Sequence, residues 1–406
     1  MPGRTTASLG SDCQARRSAR IGLVAALVCM ATLILWSPAP ANAALPPQGI
    51  YEQCAPNSTT VDCGARLRTM ADAGFEYVLN YTAWFGSAQQ VRRYADQAQA
   101  AGIQLIWPLN DRAWRDGTDL RSHYRYLGPD CPCSDNGEFK QWALGLIKDH
   151  PATWGFYVGD ELPPTPQNVS QATALANEVK SIAPAKSTLY VTIPNNNGVL
   201  TSQLEPFEQT ADYVGADYYP VGTGDSLESV LGYAADTRRL AAEYGKRPMF
   251  VLQAFSWSQY FPSNHAYRFP TRAEMQTMRD YAISAGEPQM MLWYAFNDVM
   301  ESNDPAGNWA DVKLAAFAPY VQVTGLSSKR CVKKLKAKIS VRTNSAIRKV
   351  RAKLDGRSVL KTRRERAKLP RLRLSSGRHL LRVTATDRQG KASVQTLRFR
   401  SCLGVK

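Results

Sequence analysis

The chain has 406 residues, 44% of them apolar, and a formal net charge of +16, enough length for one large domain and one small one. The charge is not spread evenly. Residues 328–406 hold 26 lysines and arginines against three acids, a net +23, whereas residues 44–327 carry −10. A uniformly cationic protein is thereby excluded, and the large domain is expected to be acidic.

Residues 1–43 read as a secretory signal. Arg16, Arg17 and Arg20 form a basic front, Ile21–Leu35 an apolar core, and Ala41-Asn42-Ala43 a small-residue cleavage site. The apolar core is shorter than the roughly 20 residues of a membrane span, so a cleaved leader and a secreted, extracellular or cell-wall-associated protein are expected. Six of the eight cysteines lie beyond it, an even number that suits an exported chain. Cys54/Cys63 and Cys331/Cys402 each bracket one local unit and are the preferred pairs. Cys131 and Cys133 either close a tight bridge or pair with the first two, and a Cys-x-Cys zinc site lacks a second ligand pair nearby.

From Leu45 to about Val323 strand and helix patterns alternate. Short strands are expected at Gly49–Glu52, Phe75–Asn80, Ile103–Trp107, Trp154–Gly159, Thr188–Ile193, Tyr213–Asp217, Pro248–Gln253 and Gln289–Tyr294. Helices are expected at Asp62–Ala73, Ala88–Ala101, Glu138–Asp149, Ser170–Ile182, Leu227–Tyr244, Arg272–Ala285 and Ala310–Tyr320, with a short one near Thr201–Gln209. Glycines at Gly74, Gly102, Gly245 and Gly286 stop helices before an apolar run. Eight strand–helix pairs in about 280 residues match a (β/α)8 barrel in count and size, and no glycine-rich phosphate turn follows the first strand.

Beyond Ser327 helical patterning stops and short alternating runs appear, with turn signals at Asp355-Gly356 and Ser376-Gly377. Leu354-Asp-Gly-Arg357, the run Gly377–Asp387 and the flanking cysteines resemble the small immunoglobulin-like sandwich appended to many bacterial secreted enzymes. The expected architecture is therefore an α/β (β/α)8 TIM barrel over residues 44–325, followed by a small all-β immunoglobulin-like sandwich over residues 328–406.

The stretch Trp154–Pro163 organises the functional reading. An apolar strand stops at Asp160-Glu161, and a barrel keeps its chemistry at the C-terminal ends of its strands. Alternation puts Gly155, Tyr157, Gly159 and Glu161 on one face and Phe156 and Val158 on the helix side. The alternative, that the two acids merely favour a following helix N-terminus, is met by the expectation that this helix begins near Asn168, past three prolines. Other strand ends collect Asn80, Asp111, Asp217, Tyr219, Gln253, Trp257, Trp293 and Asp298. Aromatic rings beside acids and amides describe a sugar-binding cleft, the rings stacking on pyranose faces.

At these residues the barrel resembles the glycoside hydrolases of the largest (β/α)8 clan, whose acid/base glutamate ends strand four, where Glu161 stands. That clan's nucleophilic glutamate ends strand seven, where this chain has Gln253, and an amide cannot form a glycosyl ester. Gly159-Asp160-Glu161 is also similar to the strand-four Gly-Asp-Glu of the family 20 hexosaminidases. This resemblance implies that Glu161 is the acid and that Asp160 orients a substrate acetamido group acting as nucleophile. The catalytic pair is thus Glu161 and Asp160, with Asn80, Asp111, Asp217, Tyr219, Gln253, Trp257 and Trp293 as substrate-binding candidates. Direct inversion with Asp217, Asp298 or Asp111 as base is the other route. No cofactor or metal is called for, since neither a His-Glu-x-x-His pattern nor a Gly-x-Ser-x-Gly elbow is present. The expected partners are a polysaccharide or glycan substrate and, through the basic tail, an anionic cell-wall polymer, with no specific nucleic acid and a monomeric chain. A barrel that binds glycan without cleaving it, a cell-surface adhesive protein and a solvated spacer tail are the rival readings.

Overall fold

The computed structural model describes residues 44–109, 131, 133, 136–195, 197–261, 268–326, 331–332, 335–372 and 374–402. The proposed signal, residues 1–43, and Asp111 lie outside them. Leu45–Lys406 is one compact unit.

Eight parallel strands close into a barrel in sequential order. They are β1 (Gln48–Glu52), β2 (Tyr77–Asn80), β3 (Gln104–Pro108), β4 (Thr153–Asp160), β5 (Ser187–Thr192), β6 (Tyr213–Tyr218), β7 (Arg247–Gln253) and β8 (Met290–Tyr294). The helices between them are α1 (Cys63–Ala73), α2 (Ala88–Ala101), α3 (Asn136–Ile147), α4 (Pro166–Ile182), the single turn α5 (Thr201–Leu204), α6 (Ser229–Glu243) and α7 (Arg272–Gly286). Two more, α8 (Phe296–Met300) and α9 (Pro305–Phe317), follow the last strand. Among the described residues no helix is long and apolar enough to cross a membrane.

Local chemistry sets these boundaries. At α2 the Ser87 hydroxyl accepts from the Gln90 N–H while the Gln90 side chain accepts from the Ser87 N–H, and left-handed Gly102 ends the helix. Helix α4 starts at Pro166, earlier than its prolines suggest. Thr165 caps it and Pro166 occupies the first turn, where its missing N–H costs nothing. Asp160 and Glu161 therefore precede the cap and lie outside the helix.

Strand parity sorts the barrel into two layers. Tyr51, Leu79, Ile106, Tyr157, Val191, Val251 and Leu292 fill the interior. Ile50, Val78, Phe156, Val214, Phe250 and Trp293 pack outward against the helices. The interior is crowded enough that a Cβ on Gly49 or Gly215 would run into Leu292 or Met249.

Seven further strands form a β-sandwich. One sheet has the order β13 (Arg366–Lys368), β10 (Lys338–Arg342), β9 (Tyr320–Thr324). The other has β12 (Arg357–Thr362), β11 (Ile347–Leu354), β14 (Gly377–Asp387), β15 (Ala392–Ser401). Val321, Ile339, Val350, Leu381 and Phe399 from both sheets share one core. The sandwich thus takes its first strand, β9, from residues assigned by sequence to the barrel and its last helix, which ends at Phe317 instead of Tyr320. The disulfides are Cys54–Cys63, Cys131–Cys133 and Cys331–Cys402.

Just before β6, the carboxylate of Glu208 is fully buried with neither oxygen hydrogen-bonded. Burial pushes its pKa up to about 8, despite Lys246 nearby. The folded state then holds a proton that the unfolded chain releases near 4.5. Stability is highest while Glu208 is protonated and falls as the pH rises toward 8. Glu208→Gln should abolish this decline and stabilise the protein by roughly 2–4 kcal/mol above pH 8. Urea denaturation of both proteins across pH 5–9 checks it, and parallel curves would contradict it.

Candidate functional site

The site is built where β4 loses its alternation. The β4–β5 register shifts between Tyr157 and Gly159. Tyr157 lies in the barrel interior, but a Cβ on Gly159 would strike the ring of Tyr190 in the helix layer. The shared face expected for Tyr157, Gly159 and Glu161 is therefore broken by an irregularity that re-aims the strand end. Asp160, three residues after Tyr157, turns back to it: Tyr157 Oη donates to Oδ1 and Tyr81 Oη to Oδ2, both at 2.9 Å. Glu161 adopts a left-handed backbone, φ 49°, with its N–H donating to Val191 O at 2.9 Å. Its side chain is half-buried.

Asp217, one residue before the end of β6, is on the inward face and is 3% exposed. Glu161 and Tyr219 neighbour its carboxyl, whose Oδ1 is buried without a hydrogen-bond partner. Burial first, then the adjoining Glu161 and the charge of Asp160, push its pKa well above the carboxylate range, against the smaller effect of Tyr219. Asp217 therefore favours its protonated form.

A tyrosine ring surrounds these acids. Tyr51 lies 5.4 Å from Tyr81 and 5.1 Å from Tyr294, centroid to centroid, and Tyr219 lies 5.9 Å from Tyr294. Burial and the charge of Asp160 or Asp217 raise the pKa values of Tyr51, Tyr81, Tyr157 and Tyr219 well above normal, so all four remain neutral donors. Farther out, Tyr260 Oη donates to Asp298 Oδ2 at 2.7 Å and lies 3.4 Å from Tyr294 Oη. Asp298 sits in the first turn of α8, where burial lifts its pKa to about 6. Trp257 donates from Nε1 to Tyr219 O at 3.2 Å, and its ring adjoins Phe255, Tyr260 and Phe261.

Of the residues singled out from sequence, Asp160, Glu161, Asp217 and Tyr219 converge here, with Trp257 beside Tyr219. Three do not. Gln253 is fully buried, and its amide is spent on Val221 N–H, Val221 C=O and Phe255 C=O. Asn80 holds Cys54 C=O and the Thr82 N–H and hydroxyl. Trp293 points to the helix layer and donates to Gln48 Oε1. Sequence reasoning passed over Tyr51 and Tyr294, and put Tyr157 on the face of Glu161 without giving it a role. The inward parity of Tyr51 and Tyr294 near the ends of β1 and β8 was the available signal. Among the described residues, no group of three or more His, Cys, Asp or Glu side chains is placed to hold a metal ion.

No protein-family model and no curated protein sequence matches the chain. Solved structures do resemble it. The endo-β-1,4-mannanase from Thermotoga petrophila is 13% identical with a TM-score of 0.46, covering 89% of this chain and 99% of its own. A glucosidase from Croceicoccus marinus is 12% identical with a TM-score of 0.49, covering 89% and 92%. Bacteroides uniformis β-glucuronidase 2 is 12% identical with a TM-score of 0.47, covering 89% and 46%. Likeness this distant transfers no residue role and no activity.

A left-handed glutamate pressed against a second carboxyl is costly twice over. Glu161→Gly relieves both costs and should raise stability by about 1 kcal/mol or more. Thermal and urea denaturation measure this, and a destabilised variant would show that Glu161 serves the fold instead.

Proposed function

We propose that the chain is a secreted glycoside hydrolase that cleaves a polysaccharide or cell-wall glycan by general-acid catalysis, with Glu161 as the acid. The supporting observation is the pairing at the barrel mouth of half-exposed Glu161 with the buried Asp217 carboxyl, whose pKa it helps to raise. Asp217 favours its protonated form, and Glu161 is the half-exposed member of the pair. As the acid, Glu161 gives a proton to the glycosidic oxygen, and the bond to the anomeric carbon breaks with its electrons going to that oxygen. Asp217 shares the charge left behind, steadied by the Tyr219 hydroxyl. Tyr219, Trp257 and Tyr260 offer faces for the sugar rings.

The engaged amide of Gln253 leaves no strand-seven carboxylate to attack. The nucleophile is then water or the substrate's own 2-acetamido oxygen. Asp160, fixed by two tyrosine hydroxyls, favours the acetamido route, since it can accept the amide N–H and stabilise the charge developing there. On this reading the substrate is an N-acetyl-sugar polymer, and the sandwich is an immunoglobulin-like accessory module on a monomeric enzyme. A barrel that only binds glycan is the second reading, favoured by Gln253.

Glu161→Gln should cut reducing-sugar release by about 10²–10⁴-fold while glycan binding persists. Near-wild-type hydrolysis by this variant eliminates Glu161 as the acid. If the wild type binds a polysaccharide panel and cleaves none of it, the binding reading holds. Product stereochemistry by NMR separates the nucleophiles: the acetamido route retains the anomeric configuration and is lost in Asp160→Asn. Inversion would instead leave Asp217 or Asp298 as the base.

A further inference from the structure

The four-stranded sheet of the sandwich has one face in the core and one in solvent. Val350, Ala352, Leu381 and Val383 point inward. The alternating positions Arg351, Lys353, Arg378, Arg382, Arg398 and Arg400 are exposed, as is Lys361 on β12. The strand register sets like charges against one another. Arg351 lies opposite Lys361, Lys353 opposite Arg382, and Arg378 opposite Arg400.

Directly opposed like charges destabilise a sheet, and this one contains three such pairs. The acids of residues 328–406 do not relieve them. Asp355 is bonded to His379, Asp387 is buried, and Glu365 sits half-buried beyond β12. Among the described residues no ion pair engages any of the seven cations. Lys349 on the same strand has its pKa lowered by desolvation and by the crowding of Arg351, Lys361 and Arg348. Threonine at these exposed positions would make a more stable sheet, so the charges oppose folding and suit a partner that neutralises them.

We propose that this outer face is a docking surface for an acidic polysaccharide. Charge complementarity over a face carrying seven exposed cations on four adjacent strands selects a linear polyanion. The aromatic side chains of the sheet, His379 and Phe399, are buried beneath it. Nucleobases therefore find no ring to stack on, which disfavours a single-stranded nucleic acid. Guanidinium forks match carboxylates bidentately. Leu380 and Val394, 40% and 46% exposed, offer apolar patches for sugar C–H faces.

The test uses the full chain and polygalacturonate as probe. The wild type should bind it in a salt-sensitive manner. The variant Lys353→Thr/Arg378→Thr/Arg382→Thr/Arg400→Thr removes two opposed pairs. It should bind roughly tenfold or more weakly and lower the slope of log K against log salt by about three. It should also melt no lower than the wild type, a combination that a merely structural role does not produce. Arg92→Gln/Arg93→Gln/Arg272→Gln, which alters barrel charges, should bind normally. Equal binding by wild type and the four-threonine variant overturns the proposal. So does tighter wild-type binding to single-stranded DNA or to anionic phospholipid vesicles than to polygalacturonate.

Discussion

Asp217 lies against Glu161 in the mouth of the barrel with Asp160 close by, and three carboxyls brought so near one another require compensation from every side. The raised pKa of Asp217 favours its neutral form and so relieves one charge. Neutral phenols solvate another, since Tyr81 and Tyr157 both donate to Asp160. These donors work because they stay protonated, and the same burial and negative charge that threaten the acids raise the tyrosine pKa values. The tyrosines come from different strands around the barrel, so closure of the sheet is what assembles the solvating ring. An open sheet would leave Tyr51 and Tyr294 far apart, whereas pairing of β1 with β8 brings their rings to 5.1 Å.

Much of the barrel was legible because it is written in local chemistry. Ser87 with Gln90, and Gly74 and Gly102 after apolar stripes, mark helix ends without reference to the rest of the chain. The placement of Asp217 was equally local. Gly215 and Asp217 alternate with Val214 and Ala216, and this parity puts the acid inside. The same rule separates Asn80 and Trp293 from the mouth, once Leu79 and Leu292 are known to face inward. Grouping residues as strand ends discarded that distinction.

What stayed hidden depended on distant partners. Gln253 has inward parity, yet a loop 32 residues earlier captures its amide. Gly159 reads as a spacer between Tyr157 and Glu161, but its outward turn toward Tyr190 depends on the β4–β5 register shift. Tyr320–Thr324 looks like the frayed end of a helix until Lys338–Arg342 arrives to pair with it. In each case the local pattern was compatible with two conformations, and tertiary pairing selected one.

The segregation of charge between the two modules follows the same logic. An acidic barrel and a basic sandwich in one compact unit had an obvious means of stabilisation, ion pairs across their junction. Among the described residues none is formed there. The junction instead uses a hydrogen bond from Leu45 N–H to Asn344 Oδ1 and Lys391 over the ring of Phe317. A cation–π contact joins the modules there without engaging a barrel carboxylate. Nor is the outer sheet's charge consumed within the sandwich, where its cations face one another. Charge that is neutralised neither across the junction nor within its own module raises the free energy of the folded chain. Its retention on the outer sheet therefore points outward, to what the sandwich meets in solution.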